Sequence, residues 1–403
     1  MKIIIFTEIS RSGGVDTFIA NLINNWPSDD DSFILVSNRS HPGLVNIEKN
    51  LIKNCKIIKH GIPLNWNFLS RYIMYLPLII QRLLRQFFRI ILSPIQYFLL
   101  KRLLKNMEAD FMISVNGGYP GGETCRLANI AWGALKISSS IHNIHNLAGK
   151  SRKITSLYEN FIDKKLEESA GKIITVSNHC SKSLSVRPVF VKSSKIMHIH
   201  NGLEKLKNNS EFLGKKISLS ANDKVIMMIG TYEKHKGHEF LMRAMVDVYK
   251  KHPDVHLVII GSGSRIEKKG IQDLIEKYNP SKNIHLLGFV ADASRLIKEA
   301  DLFVIPSQSD ESFGLTAVEA MLHRVPIIST DIGALPETMG DNGHCGYYSS
   351  PKKPEIFADN ICTLIKDEEK SIKLGINGEK RARERYTPKK MSKDYYDVIQ
   401  RLT

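Results

Sequence analysis

Residues 225–237 read VIMMIGTYEKHKG, and this stretch gives the clearest indication of the fold class. Five consecutive apolar residues, Val225–Ile229, predict a strand covered on both faces, because such strands are apolar at every position. The strand runs into a loop that is bounded by Gly230 and Gly237 and carries two lysines. These lysines either neutralise charge on a phosphate-bearing ligand or are simply solvated at the surface.

The same apolar pattern recurs along the chain. Short runs rich in branched residues lie at Ile3–Phe6, Phe33–Val36, Phe111–Val115, Ile137–Ile141, Ile173–Val176, Val255–Ile260, Ile284–Leu287, Leu302–Ile305 and Pro326–Ile328. Helical patterns separate these runs, so the sequence predicts parallel sheets with helices on both faces. Repeated strand–helix–strand units of this kind indicate doubly wound α/β domains.

The 403 residues are enough for two domains that each bury a core. A polar stretch at Glu204–Asp223 is the predicted linker. We therefore expect an N-terminal Rossmann-like domain at residues 1–205 and a C-terminal one at residues 206–385. Two such domains facing each other form a cleft, and ligands bind at the carboxyl ends of the strands.

The composition indicates the cellular compartment of the protein and the charge of its partner. Five scattered cysteines without a Cys-x-x-Cys pair argue against a disulfide scaffold or zinc site and favour a reducing compartment. The first apolar run is too short for a signal peptide, so we expect a cytoplasmic protein. The net charge is +16, and residues 1–205 hold 27 Lys and Arg against 14 Asp and Glu. A basic first half suggests an anionic partner, although a merely soluble basic surface is the alternative.

Residues 65–107 interrupt the α/β pattern. This segment holds seven Lys and Arg, no Asp or Glu, and many large apolar side chains, among them Trp66, Phe68, Leu69, Phe87 and Phe88. Its uncharged runs are too short to span a bilayer. Cations interleaved with bulky apolar residues suit a helix lying in the interface of an anionic membrane. A buried helix pair whose cations extend to water is the alternative.

Two carboxylates suggest a ligand site in the second half. Glu311 ends a polar loop, and Glu319 lies among apolar residues in the predicted first turns of a helix. A carboxylate in apolar surroundings costs stability unless it is hydrogen-bonded. Between them, Gly314 allows close approach to a helix start, where free N–H groups favour an anion. This arrangement suits a ligand with phosphates at one end and hydroxyls at the other, such as a nucleotide sugar.

Weaker signals lie in the first half. Gly13 and Gly14 follow the first strand, where a glycine pair permits a tight turn and close contact with a ligand. His142 and His145 follow the predicted strand Ile137–Ile141, and a position at a strand end favours a site role. The histidines lack further ligands at metal spacing, and Asp29–Asp31 is interpreted as a solvated turn, so no metal site is predicted.

Taken in order, these motifs resemble the retaining glycosyltransferase family 4, which has the GT-B fold. The most specific part is the pair Glu311 and Glu319 with seven residues between them. It is supported by the loop at 230–237, by Gly261-Ser262-Gly263 after a strand, and by the run from Pro326 to Glu337. The likeness covers nearly the whole chain. It implies that the last helix, within residues 386–403, returns to the first domain.

The resemblance assigns roles by position. It implies that Glu319 binds the donor ribose, that Glu311 meets the transferred sugar and that Lys236 binds phosphate. It places the amides of Gly314 and Leu315 on the diphosphate, and Gly13 and Gly14 near the phosphates and the acceptor. It implies that His142 lies near the donor sugar, with His145 as a less favoured candidate. Phe289 and Val290 are placed at the base of the nucleotide. Thr231 stands where the family commonly has arginine, which removes a bidentate phosphate contact.

We therefore expect sugar transfer from a nucleoside-diphosphate sugar to an acceptor hydroxyl, with retention, no metal and no other cofactor. The acceptor is expected to be a glycan or lipid-linked intermediate of surface polysaccharide or lipopolysaccharide synthesis, met at the inner face of the plasma membrane by residues 65–107. Two alternatives remain: a nucleotide-sugar epimerase on the same fold, and a nucleic-acid binder or DNA-glycosylating enzyme. The interleaving of cations with aliphatic residues argues against nucleic acid as a partner.

Overall fold

The computed structural model describes residues 1–64, 70–206, 213–217, 219–220, 223–278 and 283–403. The chain divides into two compact units. The first contains Met1–Gly202 and Pro388–Thr403, and the second contains Leu203–Thr387. Much of the predicted linker, from residue 207 to residue 212, lies outside the described residues.

The first unit is built on a seven-stranded parallel sheet in the order β3-β2-β1-β4-β5-β6-β7. Its strands are β1 (Lys2–Thr7), β2 (Ser32–Asn38), β3 (Cys55–His60), β4 (Phe111–Asn116), β5 (Ser140–Ile144), β6 (Lys172–Thr175) and β7 (Ile196–His198). Its helices are α1 (Gly14–Asn24), α2 (Leu44–Asn50), α3 (Ser70–Ile73), α4 (Leu78–Lys105), α5 (Glu123–Leu135), α6 (Ser156–Ser169) and α7 (Asn178–Ser183). Short 3-10 helices lie at Lys153–Thr155, Leu184–Val186 and Pro188–Phe190.

Strand β1 shows why an uninterrupted apolar run forms the centre of this sheet. Ile3 and Ile5 pack in one buried cluster with side chains of α1 and α2. Ile4 and Phe6 belong to the opposite cluster, which includes side chains of α4 and α5. Because successive side chains of a strand point to opposite faces, a strand covered on both sides has no position for an exposed polar residue.

The last helix of the chain, α15 (Pro388–Gln400), completes the core of the first unit. Tyr395 is fully buried in the cluster that holds Ile3 and Phe18, and its hydroxyl accepts a 2.6 Å hydrogen bond from Asn143. Ser392 donates to the carbonyl of Leu22 in α1 at 3.1 Å. The final residues of the sequence are therefore part of the interior of the first unit.

The second unit has a six-stranded parallel sheet in the order β10-β9-β8-β11-β12-β13. The strands are β8 (Val225–Ile229), β9 (His256–Ile260), β10 (Ile284–Gly288), β11 (Leu302–Ile305), β12 (Ile327–Thr330) and β13 (Gly346–Ser349). The helices are α8 (Leu213–Lys216), α9 (His238–Lys251), α10 (Arg265–Tyr278), α11 (Leu315–Leu322), α12 (Leu335–Met339), α13 (Pro354–Lys366) and α14 (Glu368–Arg385), with 3-10 helices at Lys234–Lys236 and Ala293–Glu299.

These two sheets confirm the predicted α/β class with two doubly wound, Rossmann-like domains. The predicted strands at 225–229 and 302–305 coincide with β8 and β11. The strand predicted at Ile137–Ile141 is wrong by three residues, because β5 is Ser140–Ile144. Edge strands β3, β7 and β13 were not predicted, since lysines, a histidine and tyrosines dilute their apolar character.

The amphipathic segment forms α3 and the long helix α4, while Trp66, Phe68 and Leu69 lie outside the described residues. One face of α4 packs in the core through Leu92, Leu100 and Leu104. The other face leaves large apolar side chains exposed, including Leu83, Phe87, Ile91, Ile95 and Phe98. Within the described residues, no helix has the length and apolar character needed to cross a bilayer.

A pair of helical glycines tests the packing of the second unit. A Cβ at Gly375 in α14 would lie 2.0 Å from the carbonyl oxygen of Arg324, whereas a Cβ at Gly270 in α10 would meet nothing within 4 Å. We expect Gly375→Ala to lower the free energy of unfolding by about 2 kcal/mol or more. Gly270→Ala should raise it by up to about 1 kcal/mol, because alanine favours helix. Urea unfolding measures both, and equal stability of the two variants would contradict the packing of α14 against Arg324.

Candidate functional site

Close backbone contacts bring the loops together at the carboxyl edge of the second sheet. A Cβ at Gly261 would lie 1.8 Å from the carbonyl oxygen of Gly230, and a Cβ at Gly237 would lie equally close to that of Pro306. Glycine at both positions removes these clashes. Gly237 also has a φ of +79°, which other residues rarely adopt. The loop after β8 therefore lies directly against the loop after β11.

This loop contact places Lys236 beside Glu311. The Lys236 Nζ lies 2.6 Å from Glu311 Oε1, and the side chain of Glu311 is nearly buried. Ser307 donates a second 2.6 Å hydrogen bond to the same oxygen. A carboxylate with so little access to water needs such partners, because an unpaired buried charge is costly.

Helix α11 begins directly after this pair. Gly314 is its N-cap, with a φ of +86°. The backbone N–H groups of Leu315 and Thr316 donate to no acceptor in the described part of the chain. Free first-turn amides and the positive end of the helix dipole favour an anionic group at this position.

Glu319 lies on α11, one turn after these amides, and is half-buried. Its carboxylate has no hydrogen bond or ion pair with another described residue. Burial raises the pKa of Glu319 to about 7. A carboxylate held without a partner in apolar surroundings is suited to accept hydrogen bonds from a hydroxyl-bearing ligand.

The remaining predicted donor contacts of this unit also follow strands. Thr231 comes directly after β8 and Gly230, and its exposed hydroxyl donates to Glu233 at 2.8 Å. Phe289 and Val290 follow β10, and the Phe289 ring is exposed. All of these residues lie at the carboxyl ends of parallel strands, as predicted for ligand contacts in this class of fold.

In the first unit, Gly13 is the N-cap of α1 and Gly14 is the first residue of that helix, after β1. A Cβ at Gly13 would meet nothing within 4 Å, so this glycine leaves open space beside the backbone. The loop is fixed by Asp16, whose Oδ2 accepts hydrogen bonds from the Gly13 amide and the Ser12 hydroxyl. The other oxygen of Asp16 lies 2.9 Å from Nε2 of His41.

The structure corrects the position given to His142. This residue lies inside β5 instead of after it, and its imidazole is fully buried. Its Nδ1 lies 2.7 Å from the Ser114 hydroxyl and 3.1 Å from the Asn129 amide. Burial and the charge of Arg126 lower the pKa of His142 to about 3. The imidazole of His142 is therefore neutral near pH 7.

His145 is the histidine at the strand end. It follows β5 directly, its amide donates to the carbonyl of Asn116 at 3.0 Å, and its ring packs edge-on against Phe18. Burial lowers the pKa of His145 to about 3, so the ring is neutral near pH 7. His145, the less favoured candidate, is therefore the histidine that lies at the strand end.

Two further features were missed from the sequence. Ser307, which bonds Glu311, follows β11 by two residues, but a serine in a loop gives no distinctive signal. Gly117 and Gly118 follow β4, the strand beside β1, and a Cβ at Gly117 would meet nothing within 4 Å. This glycine pair after an apolar strand repeats the pattern of Gly13 and Gly14 and could have been recognised.

Comparison with known proteins finds similar sequences. Residues 209–381 match the family described as glycosyl transferases group 1. The chain is 29% identical over 166 residues to a D-inositol 3-phosphate glycosyltransferase of Segniliparus rotundus, covering 40% of this chain and 36% of that protein. It is 26% identical over 258 residues to the spore coat protein SA of Bacillus subtilis, covering 58% and 66%.

A solved structure gives the likeness of the whole fold. The complex of Anabaena HepE with UDP has a TM-score of 0.76 at 17% identity and covers all of both chains. This likeness confirms the GT-B fold. The chain spans from about a third to two thirds of the length of the curated relatives it matches. These matches show that residues 209–381 are similar to glycosyl transferases group 1 and that the chain has the GT-B fold.

The unpartnered carboxylate of Glu319 predicts a stability effect that depends on pH. Burial raises the pKa of Glu319 from 4.5 to about 7, so the wild-type protein loses stability as pH rises through this range. We expect Glu319→Gln to raise the free energy of unfolding by up to about 3 kcal/mol near pH 8 and by less than about 1 kcal/mol near pH 5. Urea unfolding at both pH values measures this difference.

The control is Glu276→Gln, because Glu276 is exposed on α10. It should change stability little at either pH. A Glu319→Gln variant whose stability tracks that of Glu276→Gln would show that Glu319 is already ionised at no cost in the empty site.

Proposed function

We propose that the protein is a retaining glycosyltransferase that moves a sugar from a nucleoside-diphosphate sugar to an acceptor hydroxyl. The observation that carries the proposal is the grouping of Lys236, Glu311 and the free amides of α11 at one sheet edge. A cation and helix N–H groups suit a diphosphate, and the two glutamates suit hydroxyl groups on either side of it. The second unit supplies the donor contacts in this proposal, and the first unit binds the acceptor.

Each group has a proposed part in the reaction. Lys236 and the amides of Gly314 and Leu315 neutralise the diphosphate as it departs, and Glu319 holds the ribose hydroxyls. Glu311 orients the transferred sugar. The charge of Lys236 and the dipoles of the amides stabilise the leaving group more in the transition state than in the bound donor. Negative charge grows on the leaving group as the glycosidic bond breaks.

The ion pair between Lys236 and Glu311 gives the empty site a defined resting state. Each group neutralises the other at 2.6 Å, so neither charge is left unpaired while the donor is absent. On donor binding, Lys236 turns to the phosphate, while Ser307 continues to hold Glu311 through its 2.6 Å hydrogen bond. The lysine thus exchanges one anionic partner for another, which keeps the cost of binding low.

Retention follows from a displacement on one face of the sugar. The bond from the anomeric carbon to the diphosphate breaks, and the acceptor oxygen forms its bond to that carbon from the same side. The acceptor proton passes to the departing phosphate oxygen. The proposal needs no divalent metal, because the lysine and the helix amides carry the neutralising charge.

We propose a membrane-proximal acceptor, such as a lipid-linked glycan used in surface polysaccharide or lipopolysaccharide synthesis. Exposed apolar residues and cations on α4 support contact with an anionic membrane, at the cytoplasmic side of the plasma membrane. Relatives named for inositol phosphate and malate acceptors make small polar acceptors the comparison to test. A lipid-linked acceptor should be consumed faster when presented in vesicles, whereas a small acceptor should show no such dependence.

Donor binding is tested by thermal shift with UDP, GDP and ADP and with their sugar conjugates. One nucleotide should raise the melting temperature, since a ligand bound only to the native state stabilises it. UDP is the first choice, because structural neighbours contain UDP and UDP-glucose. Stabilisation by none of the three at millimolar concentration would overturn the proposed function.

Substitutions at the ion pair test the catalytic roles. We expect Lys236→Met and Glu311→Gln to lower turnover by at least about 10²-fold, because each removes a group that acts on the donor. The matched control is Lys250→Met, since Lys250 is exposed on α9 and pairs with Asp247 at the surface. Initial rates of sugar transfer and far-UV circular dichroism are measured for each variant. Wild-type turnover in the two site variants would show that these roles are wrong.

The two histidines separate a site role from a structural one. We expect His145→Ala to lower transfer by about 10²-fold or more with a small change in melting temperature, because His145 lies at a strand end. His142→Ala should lower the melting temperature, since it removes a buried ring and its contacts with Ser114 and Asn129. Loss of activity in folded His142→Ala, with full activity in His145→Ala, would reverse this assignment.

A further inference from the structure

A second apolar stripe lies beside α4 in the first unit. Ile154, in the short 3-10 helix, and Leu157 and Phe161, on α6, are all exposed. Their spacing of three and four residues places them on one side of the helix. Large apolar residues at this spacing normally face a core, so an exposed stripe of three indicates a surface that becomes covered.

Buried polar contacts connect α6, the helix that carries this stripe, to α4. Arg89 of α4 donates to Glu123 at 2.7 Å and to Glu159 of α6 at 3.3 Å. Tyr158, the neighbour of Leu157, donates a 2.6 Å hydrogen bond to Glu123. The Arg89 Cζ lies over the Tyr158 ring, 5.3 Å from the ring centroid. The start of α6 is therefore linked to the middle of α4 by buried polar contacts.

The same contacts remove negative charge from this surface. Glu123, Glu159 and Asp163 are buried and paired with arginines 89, 126 and 187. Among the described residues, the exposed charges of segments 70–107 and 150–165 are all positive: Arg82, Arg85, Arg102, Lys105, Lys150, Arg152, Lys153 and Lys164. Further along α6, the exposed Glu168 pairs with Lys165 at 2.9 Å. A surface that combines apolar stripes with an excess of cations is complementary to an anionic lipid leaflet.

We propose that α4 and the segment 154–161 form one membrane-binding surface, called here the two-helix surface, which seats the first unit on an anionic lipid leaflet. The cations contact lipid headgroups, and the apolar side chains of both helices enter the acyl boundary. This inference extends the membrane part of the proposed function. It adds α6, whose position depends on the buried pairs of Arg89.

Binding to large unilamellar vesicles tests the α6 part of the surface. The variant Leu157→Ser/Phe161→Ser should bind vesicles of phosphatidylglycerol and phosphatidylcholine about tenfold more weakly than the wild type, because two apolar side chains no longer enter the lipid. The control is Ile372→Ser/Ile376→Ser on α14. Its side chains are also four residues apart, with exposures of 55% and 50% against 87% and 57% for Leu157 and Phe161. The control should bind like the wild type.

Charge is tested separately. Arg152→Glu/Lys153→Glu should weaken binding by at least about tenfold at low salt, since each cation near an anionic leaflet contributes roughly fivefold. Binding should fall as salt is added and should be weak on pure phosphatidylcholine. Circular dichroism and melting temperature, measured for every variant, establish that the proteins are folded.

Two results would overturn the proposal. The first is vesicle binding by Leu157→Ser/Phe161→Ser equal to that of the wild type. The second is a wild-type dimer in lipid-free sedimentation that becomes monomeric in this variant without loss of vesicle binding, which would assign the stripe to a second copy of the chain. Vesicle binding is measured without a donor, so it stands or fails independently of the thermal-shift test for nucleotide binding.

Discussion

Backbone-to-backbone contact at the carboxyl edge of the second sheet is the constraint on which the candidate site depends. Glycines at 237, 261 and 333 let loops approach so closely that a Cβ would lie 1.8 to 2.2 Å from a carbonyl oxygen of the facing loop. The amide of Ala334 adds a 2.9 Å hydrogen bond to the carbonyl of Glu311. Because these contacts involve the main chain, they fix the position of Lys236 relative to Glu311 without help from any ligand.

The rest of the site follows from that arrangement. The loop after β11 leads to Gly314, the N-cap of α11. The free amides of the first turn and then Glu319 follow along the helix. The carboxylate of Glu319 has no hydrogen-bond partner among the described residues, and burial raises its pKa. A site that is preorganised in this way binds its ligand without spending binding energy on ordering the loops.

The sequence predicted the second unit better than the first, and the reasons are physical. Central strands such as β8 are apolar throughout, so their limits are visible, and glycines before and after them mark the loops. Strand β5 was misplaced because serines 138–140 interrupt the apolar run, although Ser140 is buried and donates to Asn129. The error of three residues placed His142 after the strand, at the position that His145 occupies.

Some features could not be predicted from local patterns at all. The ion pairs among Arg89, Glu123 and Glu159 join residues up to 70 positions apart, and nothing in their neighbours marks them as buried. The exposure of Leu157 and Phe161 is equally hidden, because an apolar stripe on a helix predicts burial. Only the fold shows whether an apolar stripe of a helix packs on the sheet or faces outward.

The position of α15 has a consequence for biosynthesis. Tyr395 and Ile399 lie in the same cluster as Ile3 and Phe18, although almost the whole chain separates them in sequence. A nascent chain that has delivered residues 1–202 still lacks this part of its interior. The first unit can close its hydrophobic core only after residues 388–403 have been synthesised, so the second unit is the first to have all of its residues and can fold before it.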